Sequence, residues 1–159
     1  MKSKLRVQRH TSYLLFHFLF FQFLLVYFSS LGVVAAQAPA ASVWDGVYTE
    51  AQAKRGEVIY YERCGACHGP QLEGGDMTPA LLGGVFTSTW NDLPLSDLFE
   101  RIRITMPLNQ PSTLSRQQTA DVTAFLLQSN KWPAGQTELP RELEPLKEIL
   151  IQAFKPYTV

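Results

Sequence analysis

Both cysteines of the chain lie within four residues of a histidine. The stretch "ERCGACHGP" runs from Glu62 to Pro70 and contains Cys64, Cys67 and His68. Two thiols three positions apart, with an imidazole directly behind the second, can form a disulfide, a redox dithiol, part of a metal site or a covalent haem attachment. The surrounding sequence distinguishes between these kinds of chemistry.

The thiol and zinc interpretations each lack a feature that they need. A Cys-x-x-Cys bridge is usually a reactive redox site, and no βαβ pattern surrounds this pair to indicate a thioredoxin-like enzyme. Structural zinc needs four ligands, whereas the chain after residue 36 offers Cys64, Cys67 and His68 as its nitrogen and sulfur ligands. The remaining interpretation is one haem c, attached by a thioether from each cysteine and with His68 on the iron. A haem-free thiol oxidoreductase using Cys64 and Cys67 is kept as a further hypothesis.

The first 36 residues have the pattern of an export signal. Four basic residues precede an almost wholly apolar run from Tyr13 to Phe28, and no acidic residue occurs before Ala36. Val34 and Ala36 occupy the positions where signal peptidase requires small side chains, so we expect cleavage after Ala36. The alternative is an uncleaved anchor, because residues 13–36 are long enough for a membrane span of about 20 residues. In both cases the rest of the chain is periplasmic or otherwise extracytoplasmic, where covalent haem attachment takes place.

Length and charge limit the domain organisation and the partners. The 159 residues, 46% of them hydrophobic, predict one compact core. Without residues 1–36 the chain carries 10 Lys and Arg against 14 Asp and Glu, a formal charge of −4. This balance disfavours nucleic acid as a partner. Membrane contact is expected only if the N-terminal segment is retained.

Capping patterns predict the helices that must position the motif. Three residues stand at N-cap positions before helical patterns: Thr49, Ser96 and Ser115. Thr49 and Ser115 are each followed by glutamine at the third position, as in a capping box. The first helix is predicted over 50–64 and leads into the motif, the second ends before Pro107, and the third turns its apolar face inward.

The remaining segments are predicted from their glycines and prolines. Residues 69–94 contain five glycines and three prolines and are predicted to be one long loop. After residue 130, a short helix is expected to start near Pro145 and to end before Pro156, with an apolar face formed by Leu143, Leu146 and Ile149 or Leu150. We expect this C-terminal strap, residues 131–159, to pack on the core; the alternative is a partner-binding tail. No run shows sustained period-two alternation, so the fold class is all-α.

From about Thr49 to Asn130 the chain resembles a class I c-type cytochrome domain, the single-haem kind found in bacteria as soluble carriers or attached to dehydrogenases. Four segments carry the resemblance: "AKRGEVIYYERCGACHG", "LEGGDMTPALLGG", "LFERIRITMP" and "QQTADVTAFLLQ". It implies three to five helices wrapped around one covalently bound haem, with the first and last helices crossing at Gly56. The domain organisation is then a signal (1–36), a linker (37–48), the cytochrome domain (49–130) and the strap.

The resemblance also implies haem contacts. Pro79 would accept a hydrogen bond from the far ring nitrogen of His68 and so fix the tautomer of the imidazole. Leu81 and Leu82 would touch the porphyrin. Trp90 would donate its indole N–H to a haem propionate, although an ordinary tryptophan at the rim of the core explains it as well.

The sixth ligand of the iron is expected to be a methionine. His10 and His17 lie in the export segment, so the candidates are Met77 and Met106. Met106 follows a loop and a helix that can carry the chain to the opposite face of the haem from His68, and "TMP" matches the ligand segment of the resembling family. We therefore expect His68/Met106 ligation, with Met77 as a packing residue.

The predicted function is electron transfer. Nothing in the chain resembles a Ser-His-Asp set or a paired-carboxylate site, so we expect an electron carrier rather than an enzyme. Its partners would be redox proteins, namely a dehydrogenase as donor and an oxidase or another cytochrome as acceptor. The alternative is a cytochrome c subunit of a periplasmic dehydrogenase complex, for example a quinoprotein alcohol or sugar dehydrogenase.

Overall fold

The computed structural model describes residues 41–157, and the predicted signal and residues 37–40 lie outside this range. After a short 3-10 turn at Val43–Asp45, helices dominate the described chain. In chain order the elements are β1 (Ala41–Ser42), α1 (Glu50–Arg63), α2 (Gly65–His68), α3 (Gly83–Trp90), α4 (Leu95–Thr105), α5 (Arg116–Ser129), α6 (Leu143–Lys147) and β2 (Ile149–Leu150). The all-α prediction is confirmed, since β1 and β2 form only a two-residue parallel pair. Between residues 41 and 157 no helix has the length and apolar character of a membrane span.

The two predicted capping boxes have different outcomes. The box at the start of α5 forms in both directions, since Ser115 and Gln118 each accept a hydrogen bond from the other's backbone N–H. At the start of α1, Thr49 Oγ1 accepts from Gln52 N at 3.1 Å, but the glutamine side chain is used elsewhere. Gln52 is fully buried and exchanges two hydrogen bonds with the backbone of Leu139, at 2.6 and 3.1 Å. A contact with the C-terminal strap therefore replaces half of this local cap.

Helix α4 starts two residues before the position that the predicted cap at Ser96 implies. Its N-cap is Pro94, and Ser96 lies inside the first turn. The fixed φ of proline suits this position, and Pro94 O accepts from Asp97 N at 3.0 Å. The predicted end is confirmed: the helix stops at Thr105, and Met106 is extended because the following Pro107 disfavours helical backbone there.

The prediction of an uninterrupted loop over 69–94 is wrong, because α3 lies inside it. Its sequence, GGVFTSTW, begins with two glycines and has low intrinsic helix propensity. Tertiary contacts compensate: Phe86 is buried, and Asn130 Oδ1 accepts from the N–H of Gly83 at 3.0 Å. The hydroxyls of Thr87 and Thr89 bond back to carbonyls of the preceding turn.

Helices α1 and α5 form the principal contact of the core. Gly56 lies where they cross, and a Cβ atom there would overlap the backbone carbonyl of Asp121. The rings of Tyr60 and Phe125 pack beside the crossing with centroids 5.3 Å apart. The close approach thus depends on the missing side chain at Gly56, as the family resemblance implied.

The segments flanking the helical domain are also part of the core. Residues 41–48, which the sequence assigns to a linker, instead place Val43 and Tyr48 in the interior, because β1 pairs with β2. In the strap, α6 begins at Leu143 rather than Pro145 and ends at Lys147, far from Pro156. Five strap side chains are buried: Trp132, Leu139, Leu146, Ile149 and Ile151.

Candidate haem site

The two cysteines and the histidine lie where α1 passes into α2, with Cys64 between the two helices. Cys64 N donates to Tyr60 O at 2.8 Å, and His68 N donates to Cys64 O at 2.9 Å, so Cys64 and His68 are one helical turn apart. Both thiols are unpaired; Cys64 is half-buried and Cys67 is exposed. Two thiols that are not bonded to each other are available for two separate thioethers.

His68 is held by its ring and by its backbone. The imidazole is nearly buried, and its Nδ1 lies 3.0 Å from Pro79 O. A carbonyl can only accept, so Nδ1 carries the proton and Nε2 keeps its lone pair for a metal. The backbone carbonyls of His68 and of the next residue are also held: Gly74 N donates to His68 O at 2.8 Å, and the Tyr60 hydroxyl donates to Gly69 O at 2.6 Å.

Leu81 and Leu82 follow Pro79 on a segment that is attached to α5. Leu81 is half-buried, whereas Leu82 remains 40% exposed. Asn130 Nδ2 donates to Leu81 O at 2.9 Å, and the same amide's Oδ1 holds Gly83. Sequence analysis missed Asn130, because its two partners are nearly fifty residues away and no local pattern marks it.

Trp90 is at the end of α3 and at the edge of the core. Its side chain is half-buried, and its ring centroid lies 6.4 Å from that of Phe86. This position agrees with both interpretations of Trp90, the propionate donor and the ordinary rim tryptophan.

The two candidate methionines have different surroundings. Met106 is half-buried at the C-terminus of α4, between Ile102, whose carbonyl accepts its N–H, and the buried Pro107. Met77 is 96% exposed, in a turn closed by two hydrogen bonds between Gly75 and Thr78. A packing role for Met77 is wrong, since its side chain contacts no core.

Arg63, directly before Cys64, reaches the loop that follows Met106. Its Nη2 donates to Thr113 Oγ1 at 2.8 Å and to Gln110 Oε1 at 3.2 Å. Sequence analysis did not identify this contact. The place of Arg63 beside the motif was visible in the sequence, but its partners depend on the tertiary fold.

Comparisons with known proteins agree with this geometry. The family model described as cytochrome c oxidase, cbb3-type, subunit III matches residues 51–126. A chain in the crystal structure of the sulfane dehydrogenase SoxCD from Paracoccus pantotrophus is 25% identical, with a TM-score of 0.52 over 80% of this chain and 73% of that one. No curated protein matches the sequence. Residues 51–126 form a class I c-type cytochrome domain.

As a c-type cytochrome the protein binds haem and transfers electrons, and it is an electron carrier rather than a catalytic enzyme. Its residues fit that group. Two unbonded thiols would provide covalent attachment, an imidazole with a free Nε2 would provide an iron ligand, and partly exposed apolar side chains such as Leu82 would provide porphyrin contact. Over residues 41–157 no cluster of three His, Cys, Asp or Glu side chains could hold a bare metal ion.

The thiol chemistry also disfavours a dithiol redox enzyme. Burial raises the pKa of the Cys64 thiol to about 11, although the nearby Arg63 charge acts in the opposite direction. Redox-active dithiols need a thiolate near neutral pH, and Cys64 would hold almost none. In a haem c attachment the same two sulfurs would be thioethers, which do not titrate.

Proposed function

We propose that this cytochrome is an extracytoplasmic electron carrier with one haem c, attached through Cys64 and Cys67 and ligated by His68 and Met106. The hydrogen bond between His68 Nδ1 and Pro79 O, at 3.0 Å, is the observation that carries the proposal. It selects the imidazole tautomer that an iron ligand needs and prevents the ring from rotating.

The haem iron supplies the redox chemistry by cycling between the ferric and ferrous states. The chain supplies the ligands and the surroundings that set the reduction potential. A thioether ligand from Met106 and apolar contacts from Leu81 and Leu82 both favour the ferrous state and raise the potential, while the hydrogen bond from His68 to Pro79 increases the basicity of the imidazole. Trp90 is assigned to the rim, with its N–H available to a propionate.

The two methionines provide the test of the ligand set. Met106→Ala should abolish the weak sulfur-to-iron charge-transfer band of the ferric protein and lower its reduction potential, because the iron loses its thioether ligand. Met77→Ala is the matched control and should change neither, since that side chain is exposed. Visible spectra and a redox titration of both holoproteins test this ligand assignment. Loss of the band and a lower potential in Met77→Ala but not in Met106→Ala would refute Met106 ligation.

Export is the second part of the proposal. Cleavage after Ala36 would leave four residues, 37–40, before β1. It would therefore not remove β1, which pairs with β2 in the fold. Intact-mass measurement of the protein from its host should give a chain that starts at Gln37 and carries one haem. A haem protein that keeps residues 1–36 and partitions with membranes would support the anchor, whereas an unprocessed, colourless cytoplasmic product would contradict export.

A second candidate function is that of a cytochrome subunit in a dehydrogenase complex. It is favoured by the similarity to a chain of a structure described as a sulfane dehydrogenase, most of whose length this chain matches. The donor would then be a permanent partner subunit, from a sulfur-compound, alcohol or sugar dehydrogenase. Size-exclusion chromatography of the native extract, followed at the haem absorbance, separates the two functions: a complex elutes well above the mass of one chain, and a carrier elutes at that mass.

A further inference from the structure

We propose that Arg63 is a positioning residue for the sixth ligand: it ties the Met106 loop, residues 106–114, to the haem-attachment motif and so limits how readily Met106 dissociates from iron. This inference rests on the proposed His68/Met106 ligation. It assigns a role to a side chain that neither the Cys-x-x-Cys-His motif nor the ligand set includes.

The contacts of Arg63 bridge two parts of the site that are far apart in sequence. Arg63 is the last residue of α1 and is bonded directly to Cys64. Its Nη2 donates to Thr113 Oγ1 at 2.8 Å and to Gln110 Oε1 at 3.2 Å, seven and four residues after Met106 respectively. A single guanidinium nitrogen with two hydrogens satisfies both acceptors.

The remaining polar contacts of the Met106 loop are local. The Thr113 hydroxyl donates a hydrogen bond to Gln110 O at 2.8 Å, and Gln110 N donates to Pro107 O at 2.8 Å. Ser112 Oγ donates to Ile104 O at 3.1 Å. Over residues 41–157, the side-chain hydrogen bonds that connect this loop to an element other than the adjoining α4 are therefore those of Arg63.

Charge makes this tie stronger than an ordinary surface hydrogen bond. From Ile104 to Ser115 the chain has no charged residue, so the guanidinium has neutral acceptors and no competing carboxylate in the loop. Hydrogen bonds from a charged donor are stronger than neutral ones, although the partial exposure of this pair reduces the gain. We expect loss of the tie to increase the population with Met106 dissociated about fivefold.

Binding of imidazole to the ferric holoprotein measures that population, because an external ligand needs the sixth position free. Arg63→Gln should bind imidazole about fivefold more tightly than the wild type. Arg101→Gln is the matched control, since it removes an equal charge from the exposed surface of α4 and should bind imidazole like the wild type. Equal affinities of the two variants would overturn the inference.

Thr113→Val tests the same tie from its other end and does not touch the attachment motif. Thr113→Val should also tighten imidazole binding. In the double variant, Arg63→Gln should then increase imidazole affinity by less than it does in the wild type, because the two residues share one interaction. Full additivity, or no effect of Thr113→Val, would overturn the role of Arg63. Met106→Ala identifies a failure of the ligand assignment separately: if it leaves imidazole affinity unchanged, Met106 is not the ligand.

Discussion

At the scale of single residues, the site depends on carbonyl groups that are held by side chains. Tyr60 is fully buried, and its hydroxyl holds Gly69 O, the carbonyl of the residue that follows His68. Pro79 O holds the imidazole itself. The histidine is thus oriented by its own chain before any metal contributes, which would reduce the entropy lost in the proposed ligation of iron.

The residues of this site were predictable to different extents. Cys64, Cys67 and His68 are adjacent in sequence, so their chemistry could be inferred from spacing alone. Pro79 was inferred through the family resemblance, and its contact with His68 is present. Arg63 and Asn130 were not predicted, because each acts on partners 47 to 50 residues away and only the folded chain brings them together.

Two buried tyrosines make the free energy of unfolding depend on pH in the alkaline range. Burial raises the pKa of Tyr48 and of Tyr60 to about 12, and for Tyr48 the nearby Glu50 adds to the shift. The unfolded chain releases these protons near pH 10, whereas the folded chain keeps them. The stabilisation is therefore complete below pH 10 and is lost as the pH rises from 10 to 12.

Tyr48→Phe tests this dependence away from the haem motif. Tyr48 donates to Trp132 O at 2.6 Å, so the variant is expected to be less stable at neutral pH by about 1 kcal/mol. Between pH 9 and 11, however, it should lose about 1 kcal/mol less unfolding free energy than the wild type, because one titrating group is gone. Denaturant unfolding at both pH values gives the difference. Equal losses in the two proteins would show that Tyr48 does not titrate with folding.

At the scale of elements, local signals predicted helix ends better than helix existence. The box at Ser115 and the stop before Pro107 depend on nearest neighbours, and both are present. Helix α3 was missed because its glycines and β-branched residues disfavour helix, and its stabilising partners, such as Asn130, come from elsewhere in the chain. Gln52 illustrates the same limit, since its burial against Leu139 overrides the local cap.

Substitution of glycine by alanine should affect stability differently at the crossing of α1 and α5 and at a glycine with open space around it. Gly56→Ala should destabilise the protein by about 3 kcal/mol or more, because the added Cβ overlaps the Asp121 carbonyl and the helices must separate. Gly84→Ala in α3 is the control: its Cβ would meet nothing, so stability should be unchanged or slightly higher. Thermal or denaturant unfolding of both holoproteins provides the comparison. A tolerated Gly56→Ala would mean that the crossing is looser than described.

At the scale of the whole molecule, the N-terminal and C-terminal parts of the described chain are fastened together. Trp44 and Trp132 both donate their indole N–H to Gln152 O, each at 2.9 Å. Arg55 joins the strap to the crossing helices, with Nη2 at 3.0 Å from Asp121 Oδ1 and 2.9 Å from Glu138 Oε1. The apolar face of the strap could be inferred from sequence, but these attachment points could not.

Truncation of one strap leucine measures how far the domain depends on this segment. Leu146 in α6 is fully buried, and Leu146→Ala should lower the free energy of unfolding by about 2–5 kcal/mol, through lost burial and the cavity left behind. Phe154→Ala is the control from the same strap: its side chain is 86% exposed, so the effect should stay within about 0.5 kcal/mol.

Urea unfolding of the holoprotein, followed both by the haem spectrum and by circular dichroism, decides whether the strap and the haem domain form one cooperative unit. If they do, Leu146→Ala shifts both transitions together, because the haem environment cannot outlast the core that the strap completes. If Leu146→Ala leaves the haem transition in place, the strap is a separate appendage. Its exposed Phe154 and Tyr157 would then be the first residues to examine for a partner.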